Sequence, residues 1–306
     1  MSGFDKSATA EQVSEGIDLA GRHAIVTGAN SGIGFETARV LALRGSSVTL
    51  ACRNLEKAER ARATILASAH GAIFDDRIEV RELDLASLAS VRDFAKEFLD
   101  SGQSLQLLVN NAGVMIPAFD RTSDGFEAHF GINHLGHFLL TELLSGLLEK
   151  SAPSRVVNVS SDALAAATLT AEFFDLNWEQ RKLSKLRAYG DSKLMNVMHA
   201  VELTRRLESR GVVGNALHPG IVKTELGRDQ PWYMKPLGLL MLPMMKEPDR
   251  GASTSVYVAT ADAYAIRGGL YFADNAEKPP PKLALDADAC VRLWEISAQR
   301  TSLAEA

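Results

Sequence analysis

Thr27-Gly28-Ala29-Asn30-Ser31-Gly32-Ile33-Gly34 continues the apolar run His23 to Thr27 and opens a stretch with helical spacing, Gly32 to Leu43. Glycine permits a sharp turn and lets a diphosphate approach the backbone, while the free N–H groups and dipole of the new helix favour its negative charge. Such glycines elsewhere would be an ordinary bend. At the first strand-to-helix turn of an alternating chain they predict a dinucleotide-binding turn, with Gly28, Asn30, Ser31, Gly32, Ile33 and Gly34 touching the ligand.

On the carboxyl side of this turn, apolar, β-branched runs of strand length recur at Ser47 to Cys52, Arg77 to Glu82, Gln106 to Val109, Arg155 to Ser160, Val212 to His218 and Gly269 to Phe272. Stretches with helical spacing lie between them: Leu55 to Ala69, Ser87 to Leu99, Gly125 to Leu148, Ala188 to Glu208, Asp249 to Ala261 and Asp286 to Ala298. Strands apolar on both faces and alternating with helices predict an α/β chain with a doubly wound, seven-stranded, mostly parallel sheet between two helical layers. No Gly/Ser linker or repeat divides it, so residues 1–306 are read as one domain with an amino-terminal extension over 1–20. Residues 163–187 and 226–248 break the alternation after the fifth and sixth strands. Ligands of such sheets bind outside the carboxyl ends of the strands, so these are the expected substrate-side loops. In the second, Trp232, Tyr233, Met234, Met241, Met244 and Met245 suit an adaptable apolar wall; an ordinary packed excursion, a dimer contact or a peripheral membrane contact of residues 231–245 are the alternatives.

Composition narrows the function classes. The chain has 306 residues, 46% hydrophobic and 23% charged, with a formal net charge of −5 and no Lys/Arg block, so it has a globular core and lacks the cationic footprint of a nucleic-acid binder. Two cysteines, Cys52 and Cys290, form neither a disulfide framework nor a zinc or redox spacing, which points to a reducing, cytoplasmic setting. Met1 to Ala20 is polar and carries no signal-peptide apolar region. Pro231 to Met245 is interrupted by Lys235, Pro236 and Pro243 and is too short to cross a bilayer. His129, His134 and His137 have no neighbouring acid or thiol to complete a ligand set, so no metal is expected.

At the end of the second strand, about twenty residues beyond the glycines, such folds place the group facing the adenine ribose. An acid there would accept hydrogen bonds from free ribose hydroxyls; this chain has Cys52-Arg53-Asn54, and Arg53 offers guanidinium donors to a 2′-phosphate. NADP(H) is therefore expected over NAD(H), the alternative for Arg53 being a surface pair with Glu56.

The remaining motifs, taken in order, resemble the short-chain dehydrogenase/reductase family from about Asp18 to Gln299. They are Thr27 to Gly34, Asp84-Leu85, Asn110-Asn111-Ala112-Gly113, Asn133, Ser160-Ser161, Tyr189-Gly190-Asp191-Ser192-Lys193 and His218-Pro219-Gly220-Ile221-Val222-Lys223-Thr224. The stretches Gly32 to Ala38, Ala51 to Asn54, Asn133 to Phe138 and Phe174 to Asn177 are most similar to the retinol dehydrogenase branch and to the oxidoreductase domain of the WW-domain-containing oxidoreductase, here without WW domains or an amino-terminal anchor. The resemblance implies a Rossmann-type fold and a catalytic set of Asn133, Ser161, Tyr189 and Lys193. It also implies cofactor contacts at Asp84, Leu85, Asn111, Ala112, Gly113, Tyr189, Lys193, Pro219, Gly220, Val222 and Thr224, and a homodimer or homotetramer formed through the long helices Gly125 to Leu148 and Ala188 to Glu208.

The residues carry a physical reading of their own. Tyr189 and Lys193 are four apart on one helical face, and an adjacent ammonium and a cationic oxidised nicotinamide favour phenolate and lower a phenol's pKa. Tyr189 would then exchange a proton with the substrate oxygen, Ser161 would hydrogen-bond that oxygen, and Lys193 would hold ribose hydroxyls. By family analogy Asn133 anchors a water on the proton path. Singly, each residue has a structural alternative: a surface Tyr/Lys pair, serines capping a strand end, an asparagine satisfying helix backbone, and Asp84 capping the next helix. Together they predict an oxidoreductase interconverting a carbonyl and an alcohol on an apolar or aromatic small molecule. A same-fold epimerase or dehydratase and a nonenzymatic, cofactor-sensing interaction protein are the competing readings. Relative to the retinol dehydrogenase branch, a histidine soon after the serine pair is replaced by Asp162-Ala163-Leu164.

Overall fold

The computed structural model describes residues 3–69, 71–73, 75–115, 120–172, 174–180, 182, 184–223 and 245–303. Thr224, residues 226–244 of the second expected substrate-side loop, and residues 173, 181 and 183 of the first lie outside them.

β1 (His23–Thr27), β2 (Ser47–Cys52), β3 (Ile78–Glu82), β4 (Leu107–Asn110), β5 (Ser154–Val159), β6 (Val212–His218) and β7 (Tyr271–Ala273) form the parallel part of one sheet, in the order β3-β2-β1-β4-β5-β6-β7. β1 shows why its sequence does not alternate: Ala24 and Val26 join an apolar cluster with Val40, Leu41 and Ile65, whereas Ile25 points into a second cluster with Phe94, Phe98 and Leu108. Both faces are covered, so both sets of side chains are apolar. Each fully buried Ile, Leu or Phe stabilises the fold by about 1.5–3 kcal/mol.

The helices are α1 (Ala10–Val13), α2 (Gly32–Leu43), α3 (Leu55–Ser68), α4 (Leu88–Asp100), α5 (Gly136–Lys150), α6 (Lys185–Leu207), α7 (Pro248–Gly251), α8 (Ser253–Thr260) and α9 (Ala287–Arg300). Side chains of Asn54, Ser87 and Asp286 cap α3, α4 and α9 by accepting the amides of Lys57, Ser90 and Ala289.

Three expectations are corrected. The sheet has eight strands among the described residues: Ala276–Lys278 (β8) pairs antiparallel with β7. Asp274 and Asn275, at φ 51° and 59°, make the tight left-handed turn that folds this short polar strand back onto the edge. The helix expected over Gly125 to Leu148 begins later, as a π-helical segment at His129–Leu135 that runs into α5. The helix expected over Asp249 to Ala261 is broken at Ala252 into α7 and α8, just after Gly251, where a Cβ would come within 2.7 Å of the Val222 methyls.

Candidate active site

The strands end at Thr27, Cys52, Asn110, Val159 and His218, with β1 and β4 side by side where the strand order reverses. Thr27 is the hub of this edge. Its hydroxyl oxygen accepts the amides of Asn111 and Ala112, each at 2.9 Å, and Asn111 Nδ2 donates to Thr27 O at 2.8 Å. Gly28 and Gly32 adopt left-handed conformations, and a Cβ on Gly34 would collide with Asn111 Nδ2 and stand 2.5 Å from Gly28 O. The glycine turn and the Asn111-Ala112-Gly113 segment, separate in sequence, are thus one close-packed unit.

Several features fit a dinucleotide. Ser31, the N-cap of α2, makes no side-chain capping bond and no acid lies in the first turn, so amides at this helix end remain for an anion. A Cβ on Gly113 would stand 3.2 Å from Lys193 Nζ and 3.3 Å from Asn133 Oδ1; glycine keeps the approach to both open. Leu85 packs under Gly136, and Asp84 Oδ1 accepts the amide of Ala86 at 2.9 Å. Ser87, not Asp84, caps α4, which removes the structural alternative for Asp84. Arg53 is exposed, and its alternative fails too: Glu56 pairs with Arg60 at 2.5 Å, leaving Arg53 without an ion pair among the described residues. At β6 the chain turns through Pro219 and Gly220 (φ 90°), and Val222 bridges to Lys246.

Tyr189 and Lys193 project from α6, and both are nearly inaccessible, 5% and 3% exposed. Lys193 Nζ lies 5.7 Å from the centroid of the Tyr189 ring and donates to Val159 O at 3.0 Å, the end of β5. Tyr189 shares a side-chain hydrogen bond with Ser161. Gly190 makes this meeting possible, because a Cβ there would stand 2.5 Å from Ala163 O, and the 161–166 segment packs directly on the helix. Ser161 also accepts the amide of Ala163 at 3.2 Å, so it caps the short 3₁₀ turn Asp162–Ala166 as well as facing Tyr189. Ser160 turns the other way and donates to Lys193 O at 2.7 Å.

Asn133 sits in the π-helical segment, a local widening frequent at functional sites. It does not satisfy helix backbone. Its Oδ1 accepts Val114 N at 2.8 Å, and its Nδ2 donates to Val114 O at 3.1 Å and to Ser192 Oγ at 3.0 Å. Ser192 in turn donates to Tyr189 O at 2.7 Å. Asn133 therefore ties the segment after β4 to the helix bearing Tyr189.

In the protein alone, burial opposes the lowering expected for the Tyr189 pKa. Burial raises it, and the hydrogen bond from Ser161 opposes only part of the rise. Burial also pushes Lys193 down to about 8, which leaves it mostly an ammonium at neutral pH.

Thr27, Ser192 and His137 were not legible as site residues. His137 Nδ1 lies 3.1 Å from Asn133 O, a pure acceptor, so this nitrogen carries the proton and Nε2 accepts from the Thr27 hydroxyl at 2.9 Å. His218 and Asp162 are another such pair, Nε2 to Oδ2 2.7 Å, joining the Ser161 segment to the Pro219-Gly220 turn. Among the described residues no three His, Cys, Asp or Glu side chains converge as metal ligands.

A mostly parallel sheet with a glycine turn where the strand order reverses, beside a buried Tyr189/Lys193 pair that faces Ser161, is the architecture of a Rossmann-type oxidoreductase. The family model for short chain dehydrogenase matches residues 22–171. Human retinol dehydrogenase 13 is 44% identical over 290 residues, which cover 93% of this chain and 86% of that protein. The crystal structure of an uncharacterized protein from Mycobacterium paratuberculosis superposes with a TM-score of 0.73 at 37% identity, covering 97% of this chain and 98% of that one. The Pseudomonas aeruginosa RhlG/NADP active-site complex superposes with a TM-score of 0.65 at 26% identity, covering 83% of this chain and 95% of that one. The chain belongs to the short-chain dehydrogenase/reductase family, in the branch of the retinol dehydrogenases, and is an oxidoreductase acting between carbonyl and alcohol with a nicotinamide cofactor. No helix among the described residues is long and apolar enough to cross a membrane.

Proposed function

We propose that this protein uses NADP(H) to interconvert a carbonyl and an alcohol on an apolar or aromatic small molecule. The observation that carries this reading is the buried contact of Tyr189 with Ser161 beside Lys193, at the carboxyl edge of β5. The nicotinamide, when bound, supplies or accepts the hydride. Tyr189, held protonated by burial, gives its proton to the substrate oxygen during reduction and recovers it during oxidation. Ser161 hydrogen-bonds the same oxygen and stabilises charge that develops there. Among the described residues the Lys193 ammonium makes one hydrogen bond, to Val159 O, which leaves donors for ribose hydroxyls. Asn133 acts by position: its side chain is engaged with Val114 and Ser192, and through Ser192 it ties the segment after β4 to the Tyr189 carbonyl.

The apolar preference is read from the apolar residues of the substrate-side loops; the first of these is held against α6, its Leu169 and Leu176 joining the core and the Asp191 carboxylate accepting the amides of Thr168 and Leu169. The preference for NADP(H) rests on unpaired Arg53 and is supported by the NADP complex of the P. aeruginosa neighbour. NADPH oxidation by the wild type and Tyr189→Phe, run against aromatic aldehydes, quinones, steroids, retinal and aliphatic ketones, tests the reading. Activity that disappears in the variant supports it; activity that survives overturns the role of Tyr189.

A further inference from the structure

Glu127 and His129 are buried side by side, each 2% exposed, where the chain enters the π-helical segment, and neither takes part in the steps assigned to Tyr189, Ser161 and Lys193. The carboxylate is shared by two donors of its own segment. Glu127 Oε1 accepts from His129 Nδ1 at 2.6 Å, and Oε2 accepts the amide of Phe130 at 2.9 Å. An ionised carboxylate only accepts, so Nδ1 carries the proton and the plane of the imidazole is fixed. Glu127 is held in turn from outside its segment: its amide donates to Asn177 Oδ1 at 2.7 Å, and Asn177 belongs to the first substrate-side loop. The His129 ring then meets the Tyr189 ring in a T-shaped contact, with centroids 5.9 Å apart and planes at 68°. Tyr189 is thus bounded at its ring by His129 and the Lys193 ammonium, and at its oxygen by Ser161.

We propose that Glu127 and His129 are a positioning pair for the phenol of Tyr189: Glu127 locks the imidazole, and the imidazole sets the tilt of the Tyr189 ring. The inference rests on the reading of Tyr189 as the acid–base group and deepens it. A phenol carries its oxygen at the far end of the ring, so a swing of about 10° moves that oxygen by about 1 Å, and a misplacement of that size costs up to about a hundredfold in rate. A T-shaped contact favours one relative orientation of the two rings, and the bond to the carboxylate keeps the imidazole from turning away. The Asn177 bond extends the same chain of contacts to the substrate side, so the loop, the imidazole and the phenol are placed together.

The test compares the wild type with His129→Gln, Glu127→Leu and Glu127→Gln in steady-state kinetics over a range of pH, using NADPH and whichever aldehyde, quinone, steroid, retinal or ketone the wild type reduces fastest. NADPH dissociation constants by nucleotide fluorescence and urea midpoints are measured alongside. His129→Gln keeps an N–H for Glu127 and removes the ring beside Tyr189; Glu127→Leu keeps the ring and removes its lock. Each is expected to lower kcat about tenfold, with KM and the NADPH dissociation constant within about twofold and the shape of the pH profile unchanged. Either one suffices should the other not fold. Glu127→Gln retains an acceptor for Nδ1 and is expected to keep kcat within about threefold. An unchanged kcat in a folded His129→Gln or Glu127→Leu protein, or parallel losses of kcat, NADPH binding and urea midpoint, would overturn the assignment. So would the loss of one limb of the pH profile in His129→Gln, which would make the imidazole itself the proton donor. Turnover that survives in Tyr189→Phe would instead overturn the acid–base reading on which the pair stands.

Discussion

The imidazole of His137 accepts the hydroxyl proton of Thr27 at 2.9 Å. That one contact links the segment bearing Asn133, whose carbonyl takes the other ring nitrogen, to the turn that packs on Gly28 and Gly34. His137→Phe keeps a ring of similar size and removes both imidazole hydrogen bonds, leaving the Thr27 hydroxyl only the longer 3.4 Å bond to Val109 O as a donor. A stability loss of about 1–3 kcal/mol in urea unfolding is expected, together with weaker nucleotide binding. Unchanged values for both would show that the link is incidental.

Tyr189→Phe removes one oxygen from a site that is otherwise intact. Turnover is expected to vanish while the NADPH dissociation constant stays within about twofold, because the nucleotide's charge is met elsewhere. Parallel assays of turnover and nucleotide fluorescence check this; comparable losses in both would mean that the phenol organises the cofactor instead.

Gly34 and Gly146 are both helical, and their environments predict opposite outcomes. In Gly34→Ala the new Cβ meets Asn111 Nδ2 and the Gly28 carbonyl, so the variant should unfold at lower urea and bind nucleotide weakly. Gly146, on α5, has nothing within 4 Å of a Cβ, and Gly146→Ala should stabilise by about 0.5–1 kcal/mol. Urea midpoints of the two variants side by side decide the matter.

Acid should destabilise the fold before any carboxylate titrates in the usual range. Burial lowers His23 and His137 to about 4, His199 to about 3, and His134 well below its ordinary value. The unfolded chain then binds more protons than the native one below about pH 6.5, and stability falls as pH drops, by up to about 2 kcal/mol per histidine at pH 5. Glu142 works in the other direction. Burial raises its pKa to about 7, so its contribution grows as pH falls from 7, by about 2 kcal/mol. The net expectation is a loss of roughly 4 kcal/mol or more and a Tm lower by about 10 °C between pH 7 and pH 5. A flat Tm over that interval would contradict the neutral, buried state of these rings.

The long helices show where periodicity stops being informative. Helical spacing located α5 and α6, and family resemblance pointed to them as an interface between copies. It did not show that α9 lays Trp294 into the groove between them, 5.0 Å from Phe138 and 5.7 Å from His199, with Arg206 stacked on the indole at 4.5 Å. His134 adds a 2.8 Å hydrogen bond to Ser297. These contacts join residues about a hundred or more positions apart, and no local pattern records them.

Local chemistry determined a great deal. Paired apolar faces make parallel strands, glycines at φ near +60° make the first turn, and Asn54, Ser87 and Asp286 start helices, all readable from neighbours in the chain. The candidate residues Asn133, Ser161, Tyr189 and Lys193 were legible as well, because each belongs to a short motif. Only the tertiary structure decided what those residues are. Spacing suggested a phenol lowered by a lysine; burial, which depends on every layer packed around α6, raises the phenol and lowers the lysine. Asn133 proved to be a clamp on Val114 and Ser192, and Glu56 went to Arg60, leaving Arg53 without an ion pair among the described residues. Protonation state and partner choice are set by solvent exclusion and by which distant groups converge, and neither is a property of a stretch of chain.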